Sequence, residues 1–192
     1  HYNKAFELLQ FPDSKEAAVK IQQVIKDGWQ GKELGLEFIL KNNELAFREF
    51  QRGLPFKRCD FDFGRKYEYV IQKELPTHSK IRSLYRLLLL RGRYYEHKKE
   101  FKRAADTYSS VLTLAGHVAQ DKTVVLKMIS MVIEKEVYAP FKACLDSGRL
   151  RRKDYIKVFD YLTDYLSKRF AAEELIELEK EAFLSSMALL VD

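Results

Sequence analysis

Apolar residues recur along most of the chain three and four positions apart, the spacing that places them on one side of an α-helix. Within residues 14–26, one such side carries Ala17, Ala18, Ile21, Val24 and Ile25. No run of Val, Ile or Thr alternates with a period of two, the pattern typical of a strand. The sequence therefore predicts an all-α protein.

Helix-breaking residues divide this pattern into separate elements. The predicted helices span residues 1–10, 14–26, 32–41, 44–52, 67–75, 80–98, 100–119, 121–147, 154–169 and 172–190. Ser14 should cap the second helix, the Asn42-Asn43 pair should form a turn, and Pro76 should open the helix from residue 80. Pro140 lies inside 121–147 and should kink or split that helix, because proline removes a backbone donor.

Composition and length place these helices in one folded domain. The chain has 192 residues, of which 46% are hydrophobic and 32% charged, and this balance excludes an intrinsically disordered chain. We divide it into N-terminal helices (1–29), a degenerate hairpin with an irregular segment (30–75), a well-defined hairpin (76–120) and C-terminal helices (121–192).

The segment from Leu88 to Tyr108 resembles a single tetratricopeptide hairpin. Gly92 and Ala104 are twelve residues apart, as the glycine and alanine of that 34-residue unit are. Small residues are needed there because two helices cross closely. Arg91 stands where the motif has leucine. The resemblance implies tetratricopeptide-like antiparallel helical hairpins in a short irregular array.

A weaker echo of the motif precedes it. Gly35, Ala46 and Phe50 follow the same order, but the glycine and alanine are eleven residues apart. Shifting the 88–108 motif by 34 residues in either direction places no glycine at the equivalent of Gly92. We therefore expect one good repeat and one degenerate repeat.

A second resemblance covers residues 30–140, which look like a group of uncharacterised bacterial helical-repeat proteins. The matching features are the helix 43–53, Arg58-Cys59-Asp60, Leu75-Pro76, Arg82, the leucines of 87–90 and the His117-Val118-Ala119-Gln120 turn. The chain departs from that pattern where Thr77 separates Pro76 from His78. The resemblance implies no activity, but it implies a bacterial protein, often with an N-terminal export or membrane segment. His1 in place of Met fits a chain that such a segment could precede.

Charge does not indicate a nucleic-acid partner. Lys and Arg outnumber Asp and Glu by 34 to 28, giving a net charge of +6. The basic runs at 98–103 and 149–153 fall at predicted helix junctions, where cations favour water and helix C-termini. An anionic partner is the alternative. No eighteen consecutive residues are apolar, so we expect membrane contact only through a segment outside this chain.

Cys59, Asp60, Asp62 and His78 carry metal-ligand atoms around the irregular segment. None has a defined ligand spacing, so the alternative is that the cysteine packs inward and the aspartates organise a turn. A Cys59 or Cys144 nucleophile with a histidine base is a further alternative. The two cysteines form no zinc or redox motif, and we expect free thiols and no cofactor.

Arg82, Arg86 and Arg93 recur near helical spacing on the first helix of the good hairpin. First helices line the concave side of tetratricopeptide arrays, so these cations could hold an acidic peptide; otherwise they form a solvated stripe. The acidic, amphipathic helix 172–190 is expected to cap the preceding hairpin, or alternatively to cover a groove or bind a second copy.

The sequence as a whole favours a non-catalytic scaffold that binds a protein or peptide. Two alternatives remain: an enzyme with a site between Cys59 and His78, and a structural or dimerisation piece of a larger envelope protein. An apolar patch over the last helices would favour the structural piece.

Overall fold

The computed structural model describes residues 1–167, apart from positions 13, 32, 34, 58, 60–69 and 121–123, and leaves the side chains of 70–77 and 124 undescribed. Eight helices and no strand occur in these residues, so the all-α prediction is confirmed for them. The helices are α1 (Tyr2–Leu8), α2 (Lys15–Asp27), α3 (Leu36–Asn42), α4 (Glu44–Gly53), α5 (Val70–His97), α6 (Phe101–Ala119), α7 (Val124–Asp146) and α8 (Arg152–Ser167).

Local signals account for several helix ends. Ser14 caps α2, because its side-chain oxygen accepts from the backbone N–H of Ala17 at 3.4 Å. Gly35, with φ of 98°, precedes α3 in the left-handed conformation. A Cβ at Gly35 would meet no atom within 4 Å. Gly35 thus begins a helix, and it does not mark a close helix crossing as its place in the degenerate repeat suggested.

α4 packs mainly against α1 rather than forming a tight hairpin with α3. The ring of Tyr2 lies so close to Gly53 that a Cβ there would stand 2.7 Å from its Cε1 atom. Asn43, predicted only as a turn residue, is fully buried. Its amide donates to the carbonyls of Gln10 and Ile39 at 2.8 and 2.9 Å, and its oxygen accepts from the Gln10 N–H at 2.8 Å. Asn43 therefore fastens the end of α1 to the α3–α4 junction.

α5 and α6 form a helical hairpin with a three-residue turn at Lys99, whose φ is 62°. The ring of Tyr108 on α6 lies against Gly92 on α5. Ala104, which precedes Tyr108 on α6, is fully buried. Arg91 stands where the repeat motif has leucine, and its contacts are a cation–π contact and an ion pair. Its guanidinium lies 4.5 Å from the centre of the Phe47 ring and donates to the Glu44 carboxylate at 3.0 Å, which connects α5 to α4.

Both prolines that were expected to interrupt helices lie inside them. α5 begins at Val70 and runs through Pro76, so the predicted start at residue 80 is wrong. α7 includes Pro140 and continues to Asp146, so the predicted split is wrong, whereas a kink at Pro140 stays a prediction. A proline removes one backbone hydrogen bond, and Pro140 is buried in α7, which packs extensively against α6. Packing along the whole helix offsets that local cost.

The core lies between α5, α6 and α7, with α2 and α4 against one side of it. α8 packs on α6 beside α7. In the part of the chain described here, no helix has the length and apolar character needed to cross a membrane.

Candidate interaction surface

The three arginines of α5 lie in different surroundings. Arg82 is exposed, Arg86 is half-buried and Arg93 is buried. Arg93 donates to the carbonyls of Ile25 at 3.0 Å and Lys26 at 3.4 Å. These carbonyls belong to the last turn of α2, which has no intrahelical donors left for them. Arg93 therefore anchors α2 to α5, and the prediction that it faces an open groove is wrong.

The surroundings of Arg86 are only partly open. The neighbouring Tyr85 is buried, and burial together with the charge of Glu136 on α7 raises the pKa of its phenol, while Arg86 acts in the opposite direction. Arg86 thus belongs to the boundary between α5 and α7. Partner binding by Arg82 and Arg86 stays a prediction.

Cys59 is half-buried, and its backbone N–H donates to the side-chain oxygen of Gln120 at 3.1 Å. The amide of Gln120 donates in turn to the carbonyl of Lys57 at 2.9 Å. These bonds tie the segment around Cys59 to the end of α6. Asp60 and Asp62 lie outside the described residues, and His78 lies in α5.

No chemical activation distinguishes the candidate nucleophile Cys144. Both cysteines are free, and burial raises the pKa of Cys144 to about 12, which disfavours the reactive thiolate. Among the residues that the structure describes, no three His, Cys, Asp or Glu side chains are grouped so as to hold a metal ion.

His117 was expected in a turn at residues 117–120, but it is buried within α6. The hydroxyl of Tyr2 is hydrogen-bonded to its Nδ1 atom at 2.6 Å, and the backbone of Phe56 provides a further hydrogen bond. Burial lowers the pKa of His117, so the neutral ring is favoured. His117 therefore joins α1, the segment after α4 and α6, which is a structural role.

Nine of the thirteen large apolar side chains that are exposed among the described residues lie on the last two described helices. We call their surface the α7–α8 outer face, and it consists of Val125, Met128, Met131, Val132 and Tyr138 on α7 with Tyr155, Ile156, Phe159 and Leu166 on α8. The exposed fractions reach 67% for Tyr138 and 61% for Phe159. Isolated apolar side chains at a surface are ordinary, but a run of them along two consecutive helices favours an interaction site.

The opposite side of each helix is already packed. Cys144 and the other buried residues of α7 face α5 and α6. On α8, Tyr161 donates to the carbonyl of Ser109 on α6 at 2.8 Å, and Tyr165 donates to Glu134 on α7 at 2.5 Å. Of the 16 residues in α8, only Asp154 and Val158 are buried. α8 is thus held by one narrow side while its apolar stripe stays exposed.

Two cations lie among these apolar residues. Lys135 follows Val132 by three positions, and Arg152 precedes Tyr155 by three, so each shares a helix side with the outer face. Both are exposed and form no ion pair with another described residue. The surface is therefore apolar with charged residues among its apolar side chains: the cations Lys135 and Arg152, and the exposed anion Asp160 four positions after Ile156. A sequence signal existed, because residues 124–138 contain more apolar positions than one helix side can bury.

No protein-family model, curated protein or solved structure matches the chain significantly.

Proposed function

We propose that this protein is a non-catalytic, tetratricopeptide-like helical scaffold that binds a helical segment of another protein through the α7–α8 outer face. The observation that carries the proposal is the run of apolar side chains along two helices of one hairpin, exposed by 44% to 67%. An amphipathic helix laid along such a surface buries its apolar side in the same way as a neighbouring helix of the protein does.

The α5–α6 hairpin supports the tetratricopeptide-like part of the proposal. The contact between Gly92 and Tyr108 is the close crossing that the glycine of the motif serves, and Ala104 is fully buried. In arrays of this kind, each hairpin covers its apolar side with the next unit. We infer that the outer face of α7 and α8 takes the place of the surface that a following unit would cover.

The positive charges among the apolar residues of the outer face indicate the kind of partner. Lys135 and Arg152 favour a helix that carries acidic residues beside its apolar positions. Each large apolar side chain that such a partner buries completely contributes ~1.5–3 kcal/mol. Three or four contacts of this size are enough for specific binding without a deep pocket.

The test compares two double variants. Met131→Asp with Phe159→Asp places charges in the outer face, and Val19→Asp with Phe38→Asp places them at exposed positions on α2 and α3. Affinity capture from cells that produce the protein, followed by cross-linking, should recover a partner with the wild type and the control. The partner should be lost with the outer-face variant.

Two results would argue against the proposal. Capture of the same proteins by both double variants would show that the outer face is not the binding surface. Sedimentation that finds a dimer dissociated only by Met131→Asp with Phe159→Asp would favour a structural, self-associating piece instead.

A further inference from the structure

The exposed side of α8 carries a charged stripe beside its apolar one. The charged stripe consists of Lys153, Lys157, Asp160 and Asp164, which are all exposed and follow one another at four, three and four positions. This spacing places the four charges on one side of the helix, next to the apolar residues Ile156 and Phe159 of the outer face. The charged stripe is therefore positive along its first half and negative along its second half.

The order of these charges does not stabilise α8 itself. Lys153 and Lys157 are like charges four positions apart, and so are Asp160 and Asp164, a spacing at which like charges destabilise a helix. Within the stripe, only Lys157 and Asp160 have opposite charges at helical spacing. In coiled coils, charges that flank an apolar stripe in this way set the choice and the direction of the partner helix. The stripe on α8 has the composition and the position for that task.

We propose that the charged stripe of α8 sets the direction in which the partner helix binds, with the partner's acidic half beside Lys153 and Lys157 and its basic half beside Asp160 and Asp164. This inference rests on the proposed function of the outer face. Exposed ion pairs add little affinity, but like charges brought together disfavour the reversed direction. The stripe therefore acts on the specificity of binding, whereas the apolar residues of the outer face supply most of the affinity.

A second copy of α8 has the same order of charges, but it is the less suitable occupant. The sixteen residues of α8 form a strip about 24 Å long and about 10 Å wide. Two copies joined through this strip alone would bury less than the ~1,200–2,000 Å² that stable interfaces bury. A partner helix that also contacts the apolar residues of α7 has a larger surface to cover.

Two synthetic amphipathic peptides with the same apolar side test the inference. Beside that side, one peptide carries Glu in its first half and Lys in its second half, and the other carries them in the opposite order. A nitroxide label on the N-terminus of each peptide broadens the amide NMR signals of nearby residues. In the wild type, the first label should broaden the signals of residues 152–157 and the second those of residues 160–166, each several-fold more than the opposite end. High salt should weaken this preference.

A variant with the stripe reversed provides the second measurement. Lys153→Asp, Lys157→Asp, Asp160→Lys and Asp164→Lys together keep the net charge and should exchange the two label positions. The control exchanges charges at exposed positions on α1 and α3, through Glu7→Lys with Lys41→Asp, and should leave the label positions as they are in the wild type. Unchanged amide signals of α5 and α6 confirm that each variant keeps its fold.

Each other outcome has a distinct reading. Unchanged label positions in the reversed variant, or equal broadening at both ends in the wild type, overturn the inference. If Met131→Asp with Phe159→Asp still abolishes peptide binding in that case, the proposed function stands. Peptide binding that survives the outer-face variant means that the proposed function fails, and the inference with it. A dimer in sedimentation that binds neither peptide assigns the face to a second copy and overturns the inference. A monomer that binds neither peptide also overturns the inference, while the capture experiment decides the proposed function.

Discussion

Replacing Gly92 by alanine adds one methyl group at the closest approach of α5 and α6. The added Cβ would stand 2.7 Å from the Cζ atom of Tyr108 and still nearer to Cε1. The ring cannot move away easily, since it is fully buried, its hydroxyl donates to Glu96 at 2.9 Å, and Phe141 lies 5.7 Å from its centre. The change must therefore either separate the helices or displace the tyrosine.

Two opposing effects determine the magnitude. Alanine is favoured over glycine inside a helix by ~1 kcal/mol. Overpacking of a tight site costs ~1–3 kcal/mol, and loss of the bond between Tyr108 and Glu96 costs ~1 kcal/mol more. We expect Gly92→Ala to lower the free energy of unfolding by ~1–3 kcal/mol. Gly92→Leu should lower it further.

Gly116 supplies the matched control. It is also a helical glycine, but a Cβ there would meet only the Tyr165 ring at 3.4 Å, near ordinary contact distance. Gly116→Ala should therefore be neutral or stabilise by up to ~1 kcal/mol. Urea melts of the wild type and both variants measure the difference, provided that the denaturant slope is unchanged. If Gly92→Ala is as stable as Gly116→Ala, the ring does not confine Gly92 and the argument for a close helix crossing fails.

Three further predictions concern buried polar side chains. Asn43→Ala should destabilise by ~1–3 kcal/mol because it leaves the Gln10 N–H and carbonyl unpaired, whereas the exposed Asn42→Ala should change stability by less than ~0.5 kcal/mol in the same melts. Folding lowers the pKa of His117, so the unfolded chain takes up the proton at higher pH than the folded protein, and stability should fall as the pH drops below 6.5. His117→Gln should flatten this pH dependence. Equal slopes of stability against pH for the two proteins, in melts from pH 7.5 to 5, would contradict the prediction. Arg93→Gln should destabilise by ~1–3 kcal/mol by leaving the carbonyls at the end of α2 without their donor, while the exposed Arg82→Gln should leave the melting curve unchanged; equal effects of the two changes would show that Arg93 is not an anchor.

The sequence by itself determined the helical class, several helix ends and one contact point. The helical class follows from the spacing of apolar residues, because a 3.6-residue periodicity is a local property of the sequence. The cap at Ser14 is equally local, because the bond spans three residues. Gly92 and Ala104 were identifiable because the crossing of two consecutive helices with a short turn restricts side-chain size at a constant spacing.

Only the tertiary structure decided what the polar residues do. Arg93 and Arg82 look alike in the sequence, but the end of α2 lies against one of them and not the other. His117 was expected at a corner, and its burial depends on Tyr2, which is 115 residues away in the chain. Such long-range pairs depend on how the helices cross, and the periodicity of apolar residues does not predict them.

The outer face of α7 and α8 depends on both levels. The sequence shows the surplus of apolar residues around Met131 and Phe159, but a helical wheel does not predict which apolar side a neighbouring helix covers. Packing decides which sides are covered: α6 packs against one side of α7 and one narrow side of α8, and the other apolar sides of both helices stay exposed. Helix formation is local, whereas burial is decided by the partners that the whole chain brings to each helix.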